Sequence, residues 1–213
     1  TGSAVSLNTG NVTSTTTYNV YGESIATSGA LAFEGGSQVV NLGDNIEGLT
    51  NSTFETWVYY PTGGSGNHDE IFSKVTVNSL NIWRAGGDKV WFHLGNGVSW
   101  FNSSAVISNA SVPRDTWTHI AVTWEEATHT VKIYLNGVLD KSELHTHNGG
   151  GSMGSNSHPR GLGGYGNNSG TNFRGSLDDF RVWNTVRTGQ EILDNMGNCM
   201  NVNETGLLAY YKM

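Results

Sequence analysis

Four side chains on one short hairpin carry the chemistry most easily read from this sequence. In SLNIWRAGGDKVWFHLG (79–95), a turn centred on Gly87 sets Trp83 opposite Trp91 and Asn81 opposite His93, because side chains alternate between faces with period two along a strand. These four share one sheet face, and Ile82, Val90, Phe92 and Leu94 take the other. Two indoles beside an imidazole and an amide suit a pyranose ring, whose C–H face stacks on an aromatic while its hydroxyls bond to directed polar groups. Arg84, next to the turn, is placed to reach an anionic substituent. The same rings would equally serve to cover the second side of their own sheet, and at this point both readings stand.

Other side chains suit binding more loosely. Trp100 precedes Phe101 and a loop rich in Asn and Ser, and offers a further aromatic contact. The segment HTHNGGGSMGSNSHPRGLGGYGNNSGTN (145–172) holds His145, His147, His158, Arg160 and Tyr165. Its length and glycine content mark a loop, and loops of this length usually carry function or move. Tyr165 stands between Gly164 and Gly166, where an exposed ring can meet a ligand. His145-x-His147 has the chemistry for zinc or copper, yet no third ligand follows at a telling spacing; a solvated loop is the alternative.

Several function classes are excluded. A formal charge of −7 with only 11 Lys+Arg leaves no basic patch to neutralise phosphates, so no nucleic acid is expected as a partner. No apolar run approaches about 18 residues, so no membrane insertion is expected. The sequence has no Gly-x-Ser-x-Gly elbow, phosphate loop or His-Glu-x-x-His helix. Glu125–Glu126 and Asp178–Asp179 are adjacent pairs, which strand alternation sends to opposite faces, so no two carboxylates are expected to converge and no enzyme is expected. The single Cys199 rules out an internal disulfide framework and is expected as a small buried side chain.

The elements that must position these groups read as strands. In WTHIAVTWEEATHTVKIYLNGVLD (117–140), Trp124 faces Val131, Val122 faces Ile133 and Ile120 faces Leu135, and Asn136-Gly137 supplies the positive φ angles of a type I′ turn. This gives a three-strand antiparallel meander with one apolar side. In FETWVYYP (54–61), Phe54, Thr56 and Val58 oppose Glu55, Trp57 and Tyr59. Thr188 to Glu191 has capping-box spacing, followed by Ile192, Leu193 and Met196 on one face, so one short helix is expected near the C-terminus. With 29 Gly and frequent turn signals, the expectation is an all-β fold in a single domain over 1–213. The chain begins without Met and stops in strand-like sequence, and so reads as a module with attached domains.

Taken together, ALAFEGGSQVVNLG, FETWVYYP, the 117–140 stretch and FRGSLDDFRVWNTVRTGQEI resemble the laminin-G-like, concanavalin A-like jelly-roll family over roughly residues 30 to 193. The resemblance implies a two-sheet antiparallel jelly-roll sandwich with a secreted or cell-surface setting. It also implies a polysaccharide or glycan partner, with catalytic or adhesin domains elsewhere in the parent chain. The alternative is a protein-recognition or architectural module of an adhesin. The family's laminarinase-type hydrolases carry Glu-x-Asp-x-Glu on one strand, and no such run occurs here. The resemblance further implies a structural calcium ion at Phe33, Glu34, Gly36 and Asp178, whose carboxylate and carbonyl oxygens suit that cation. Asp178 shares strand parity with Phe180 and Val182 and is expected to point inward, where it needs a partner: a metal, backbone N–H groups, Arg181 or Arg174. Trp57 and Tyr134 are expected to be structural.

Overall fold

The computed structural model describes residues 29–36, 38–43, 46, 48–63, 68–74, 79–100, 104–145, 154, 160–164, 173–201 and 203–213. These residues form β1 (Leu31–Glu34), β2 (Val40–Asn41), β3 (Asn51–Tyr59), β4 (His68–Lys74), β5 (Leu80–Ala85), β6 (Lys89–Leu94) and β7 (Val106–Ser111). They continue with β8 (Trp117–Glu125), β9 (Thr130–Leu135), β10 (Val138–Leu144), β11 (Arg160–Leu162), β12 (Arg174–Trp183), α1 (Gly189–Asn195) and β13 (Leu207–Tyr211). A seven-stranded sheet runs β1-β12-β3-β8-β9-β10, with β13 paired to the far end of β12; a six-stranded sheet runs β2-β11-β4-β5-β6-β7. The jelly-roll sandwich expected from sequence is therefore the fold.

The core lies between the sheets and follows from period-two alternation. Phe54, Val58, Ile120, Val122, Val131, Ile133 and Leu177 come from one inner face, and Phe72, Ile82, Val90, Phe92 and Leu162 from the other. Phe72 bridges the layers, with its ring 5.6 Å from that of Phe54 and 4.8 Å from that of Phe180. The meander forms in the expected register, with Ile120, Val122 and Trp124 opposite Leu135, Ile133 and Val131. Its second turn has φ 50° at Asn136 and 76° at Gly137, as a type I′ turn requires.

Two departures from the sequence reading shape the site. The 145–172 stretch is not only loop: its Arg160–Leu162 segment is β11, which slots between β2 and β4. Three residues with a central glycine carry no alternation to read, and their pairing comes from the partners on both sides. In β12, Asp178 pairs with Trp57 but Arg181 pairs with Glu55, so three steps on one strand match two on the other. Asp179, at φ 50°, takes up the extra residue of this bulge. Leu177, Phe180 and Val182 are thereby all buried in the core, and Asp178 goes to the outer face with Trp57. The expectation that Asp178 points inward is corrected: parity does not survive an inserted residue.

The sheets are also joined at one edge. At the β10 irregularity between Leu139 and Lys141, the Asp140 carboxylate accepts the N–H of Asn109 (2.6 Å) and Ala110 (2.9 Å) from β7. Thr188 and Glu191 form the capping box of α1. Ile192 packs on Ala121 and Tyr134 of the seven-stranded sheet, whereas Leu193, expected on the same face, is exposed. Cys199 is exposed rather than buried, with Sγ 2.8 Å from Lys212 Nζ. The exposure of Leu193 follows from the shortness of α1, which buries a single residue.

Gly163 shows how tightly the layers close. Its N–H donates to Ile71 O, its carbonyl accepts from Phe173 N, and at φ 76° a Cβ would lie 2.1 Å from Phe33 Cε1. Gly163→Ala should destabilise the protein by about 2–3 kcal/mol through overpacking and backbone strain, read as a lower urea midpoint. An unchanged midpoint would mean that the Phe33 ring is free to move away.

Candidate functional site

The hairpin of β5 and β6 pairs Trp83 with Trp91 and Asn81 with His93, and their parity places all four on the outer face of the six-stranded sheet. The rings form a row. The imidazole of His68, from β4, lies parallel to Trp83 (5.3 Å between centroids, 9° between planes), and Trp83 meets Trp91 at 5.7 Å and 36°. Farther along the strand, His93 lies parallel to Trp100 at 4.1 Å and 9°, with His145 edge-on to it at 5.6 Å. Trp100 is held there by its bridge to Gly95 and by Asn96, whose Oδ1 accepts the N–H groups of Val98 and Ser99. Trp83 is only 8% exposed; Trp91, His93, Asn81 and Trp100 are half-buried. The hairpin pairing was legible, and the row it builds is partly sealed and partly open.

Sequence reasoning missed two members of this row, His68 and Glu70. Glu70 lies opposite Trp83 with its side chain buried, and its Oε1 is 2.8 Å from His68 Nε2. The signal was present: His68 and Glu70 are two apart, so once β4 is extended back to His68 they share the face of Trp83. A hydrogen-bonded imidazole stacked on an indole is a rigid platform with a polar edge.

Arg84 does not belong to this face. It alternates with Trp83, so it points inward; it is 3% exposed, pairs with Asp69 and Asp88, and lies 4.8 Å from the Tyr60 ring. Its expected reach to an anionic ligand is corrected, since a guanidinium buried with two carboxylates is a structural tie. Arg160 and His145 are likewise buried. Tyr165, Phe101, His147 and His158 lie outside the described residues.

The four positions expected to share a calcium ion lie on two paired strands, β1 and β12, and on the bend that follows β1. Antiparallel pairing sets Phe33 opposite Gly175 and Glu34 opposite Arg174, whereas Asp178 lies beyond Leu177, which pairs with Leu31. Four strand steps separate Arg174 from Asp178, roughly 13 Å between their backbones at strand rise. Phe33 is buried, and Glu34 and Gly36 are exposed. Among the described residues no group of three His, Cys, Asp or Glu side chains forms a metal cluster. Asp178 Oδ1 instead accepts N–H bonds from Asp179 (2.7 Å) and Met213 (3.3 Å), the backbone alternative left open by the sequence.

The outer face of the seven-stranded sheet holds two further groups. Under α1, His119 and Glu55 are buried, with Nε2 and Oε2 3.5 Å apart; Glu55 also faces Arg187 at 3.5 Å. Burial, and then the Arg181 charge, hold the His119 pKa down at about 3. The ring is therefore neutral at neutral pH, and its contact with Glu55 is not an ion pair. Burial raises the Glu55 pKa against the pull of Arg181 and Arg187. Nearer the β1 end, Trp57, Trp117, Asp178 and Asp179 line an open cavity of about 350 Å³. Trp57 and Tyr134 are structural as expected to this extent: Trp57 Nε1–H donates to Met196 O at 2.7 Å, and Tyr134 is buried beneath Ile192.

This double sheet is a lectin-type sandwich. Residues 34–193 match the concanavalin A-like lectin/glucanases superfamily, and the chain belongs to that family. Among solved structures it is similar to a protein from Bacteroides ovatus (TM-score 0.60, 17% identity, covering 82% of this chain and 48% of that one). It is also similar to domain 4 of AbnA, an extracellular arabinanase from Geobacillus stearothermophilus in complex with arabinotriose (0.57, 20%, 87% and 82%). A third is the CBM40 of a Ruminococcus gnavus sialidase bound to α2,3-sialyllactose (0.61, 13%, 79% and 96%). The chain spans about half the length of the Bacteroides protein, and at these identities the likeness shows the fold. No curated protein matches the chain. No helix among the described residues is long and apolar enough to cross a membrane.

His119 sets a pH dependence whose sign is fixed. The ring titrates near 6.5 when unfolded and at about 3 when folded. Stability is therefore full above pH 6.5 and falls as pH drops from there towards 3, by up to about 1.4 kcal/mol per pH unit. His119→Gln should remove this part of the slope between pH 6.5 and 4 in urea denaturation. A variant with the full slope would place the titration on another group.

Proposed function

We propose that this chain is a non-catalytic carbohydrate-binding module of an extracellular protein, holding a glycan on the outer face of the six-stranded sheet. The observation that carries the reading is the ring row His68, Trp83, Trp91, His93 and Trp100, with Asn81 opposite His93. Half-buried rings of this kind bury the apolar faces of sugar units without collapsing into the core, and the amide and imidazole edges fix hydroxyl orientation. Structurally similar modules solved with arabinotriose and with sialyllactose support a carbohydrate as the ligand class. Binding by a few stacked rings is modest per site and gains from several copies in one parent chain, where catalytic or adhesin domains would profit from being held near a polysaccharide.

The second reading, a protein-recognition module of an adhesin, is favoured by one observation: Val138 and Leu139 of β10 stand exposed, as does Leu193, whose side chain reaches the turn at Gly137. The two readings make opposite demands on the ring row. Trp100→Ala and Trp91→Ala should each weaken retention on a polysaccharide bound by the wild type about tenfold or more, equivalent to about 1.4 kcal/mol, while the melting temperature stays near that of the wild type. Wild-type retention surviving both changes would remove the ring row from the site. Trp83→Ala is the poorer test, since truncating a ring wedged between two others costs about 3 kcal/mol of stability in its own right.

Calcium is a separate question with its own measurement. With a structural calcium ion held at Asp178 and the bend after β1, EDTA should lower the melting temperature and added calcium should restore it, because an ion bound only by the native state stabilises by mass action. An unchanged melting curve in chelator would count against Asp178 as a ligand.

A further inference from the structure

The cavity on the opposite sheet has a chemistry that neither the ring row nor the fold requires. It is lined by Ala30, Trp57, Trp117, Asp178, Asp179 and Gly197 and holds about 350 Å³, the lower end of the size range of small-molecule sites. Three features of the chain create it. The β12 bulge puts two consecutive carboxylates into one cavity, where regular alternation would separate them. The β3–β12 register sets Asp178 beside Trp57, and the β3–β8 register sets Trp117 opposite Tyr59, one diagonal step from Trp57. Trp117 is 39% exposed although it is a large aromatic, and its ring leans on Tyr59 at 5.7 Å.

The polar groups in the cavity are unevenly used. Asp179 is committed on both oxygens: Oδ1 accepts from Tyr210 Oη at 2.6 Å and Oδ2 from Arg181 at 3.3 Å. Trp57 has spent its N–H on Met196 O. Asp178 has used Oδ1 on two backbone N–H groups, and among the described residues no Lys, Arg or His reaches it within ion-pair distance. Arg181 is buried against Asp179 and lies over the Tyr210 ring at 5.4 Å, and Lys212, whose charge also attracts Asp178 without reaching it, is hydrogen-bonded to Cys199. Burial, and then the Asp179 charge, raise the Asp178 pKa above its ordinary value against two backbone N–H bonds and the more distant Lys212 charge. The cavity thus presents indole surface and a carboxylate oxygen, Oδ2 of Asp178, that accepts no hydrogen bond from the described residues.

We propose that this cavity binds the ammonium group of an amino sugar, with the sugar ring against Trp117 and the charge between the indoles and Asp178. An ammonium supplies the N–H donors and the charge that Asp178 lacks, and gains cation–π attraction from the indole faces. A cavity of this size beside an exposed indole suits a ring better than a linear alkylamine. The site lies on the other sheet from the ring row, so it does not rest on the glycan reading given above.

The test is a titration of the whole chain in buffer containing EDTA, following the indole N–H signals of Trp57 and Trp117 by NMR. Glucosamine should give saturable shifts, N-acetylglucosamine should give none because acetylation removes the charge, and Asp178→Asn should weaken the glucosamine response about tenfold. Trp117→Phe, a milder change at an exposed position, should also weaken it, and a melting curve establishes that each variant is folded. Trp100→Ala should leave the titration unchanged, so that failure here and failure of the ring row are separable. Equal responses to the two sugars would make this a neutral-sugar subsite and overturn the proposal. So would full glucosamine affinity in folded Asp178→Asn, tighter binding of Nα-acetyl-lysine methylamide than of glucosamine, or no response to either amine.

Discussion

A sheet buried on one face cannot slip, and most of this structure depends on that constraint. Moving β8 by one residue against β3 would send Ile120, Val122 and Trp124 out of the core and bring in His119, Thr123 and Glu125. Each central strand is bound in this way by two neighbours, so the positions of outward-facing groups follow from where the apolar ones must go. The ring row and the indole–carboxylate cavity are both by-products of registers fixed by the core. Their side chains can therefore be held on stiff strands, within narrow tolerances, without any dedicated support.

The two outer faces are used differently. On the seven-stranded sheet, α1 and the residues after it cover Ala121, Tyr134, Glu55 and His119, which makes much of that face a second, partly polar interior. Neutralising His119 and sharing the Glu55 charge between two arginines is what makes such burial tolerable. The six-stranded sheet carries its stacked rings on strands and a short loop instead. Trp83, tight between His68 and Trp91, anchors the row, and Trp100, carried on a loop turned back by Asn96, stands at its adaptable end.

What could be read from the sequence was what local alternation determines. The 117–140 meander, the Trp83–Trp91 pairing, the Asn136-Gly137 turn and the Thr188 capping box all depend on residues close in the chain, and all are where their patterns put them. The failures share a cause in the interruption of that periodicity by tertiary context. Asp178 was assigned to the wrong face because a bulge gives no sign in a run such as LDDF. Arg84 was read as a reaching arm because its partners Asp69 and Asp88 are set by the packing of β4 and the turn. β11 was invisible because its pairing is supplied by both neighbours.

The reach of Asp140 across to β7 has a meaning beyond local bonding. Backbone amides left open along a border strand invite another molecule to add itself, and repetition of that event produces fibrils. By occupying two such donors with a carboxylate from the facing layer, the protein closes part of this border with its own side chain. That protection matters for any module whose border strand would otherwise be open to stray strand addition.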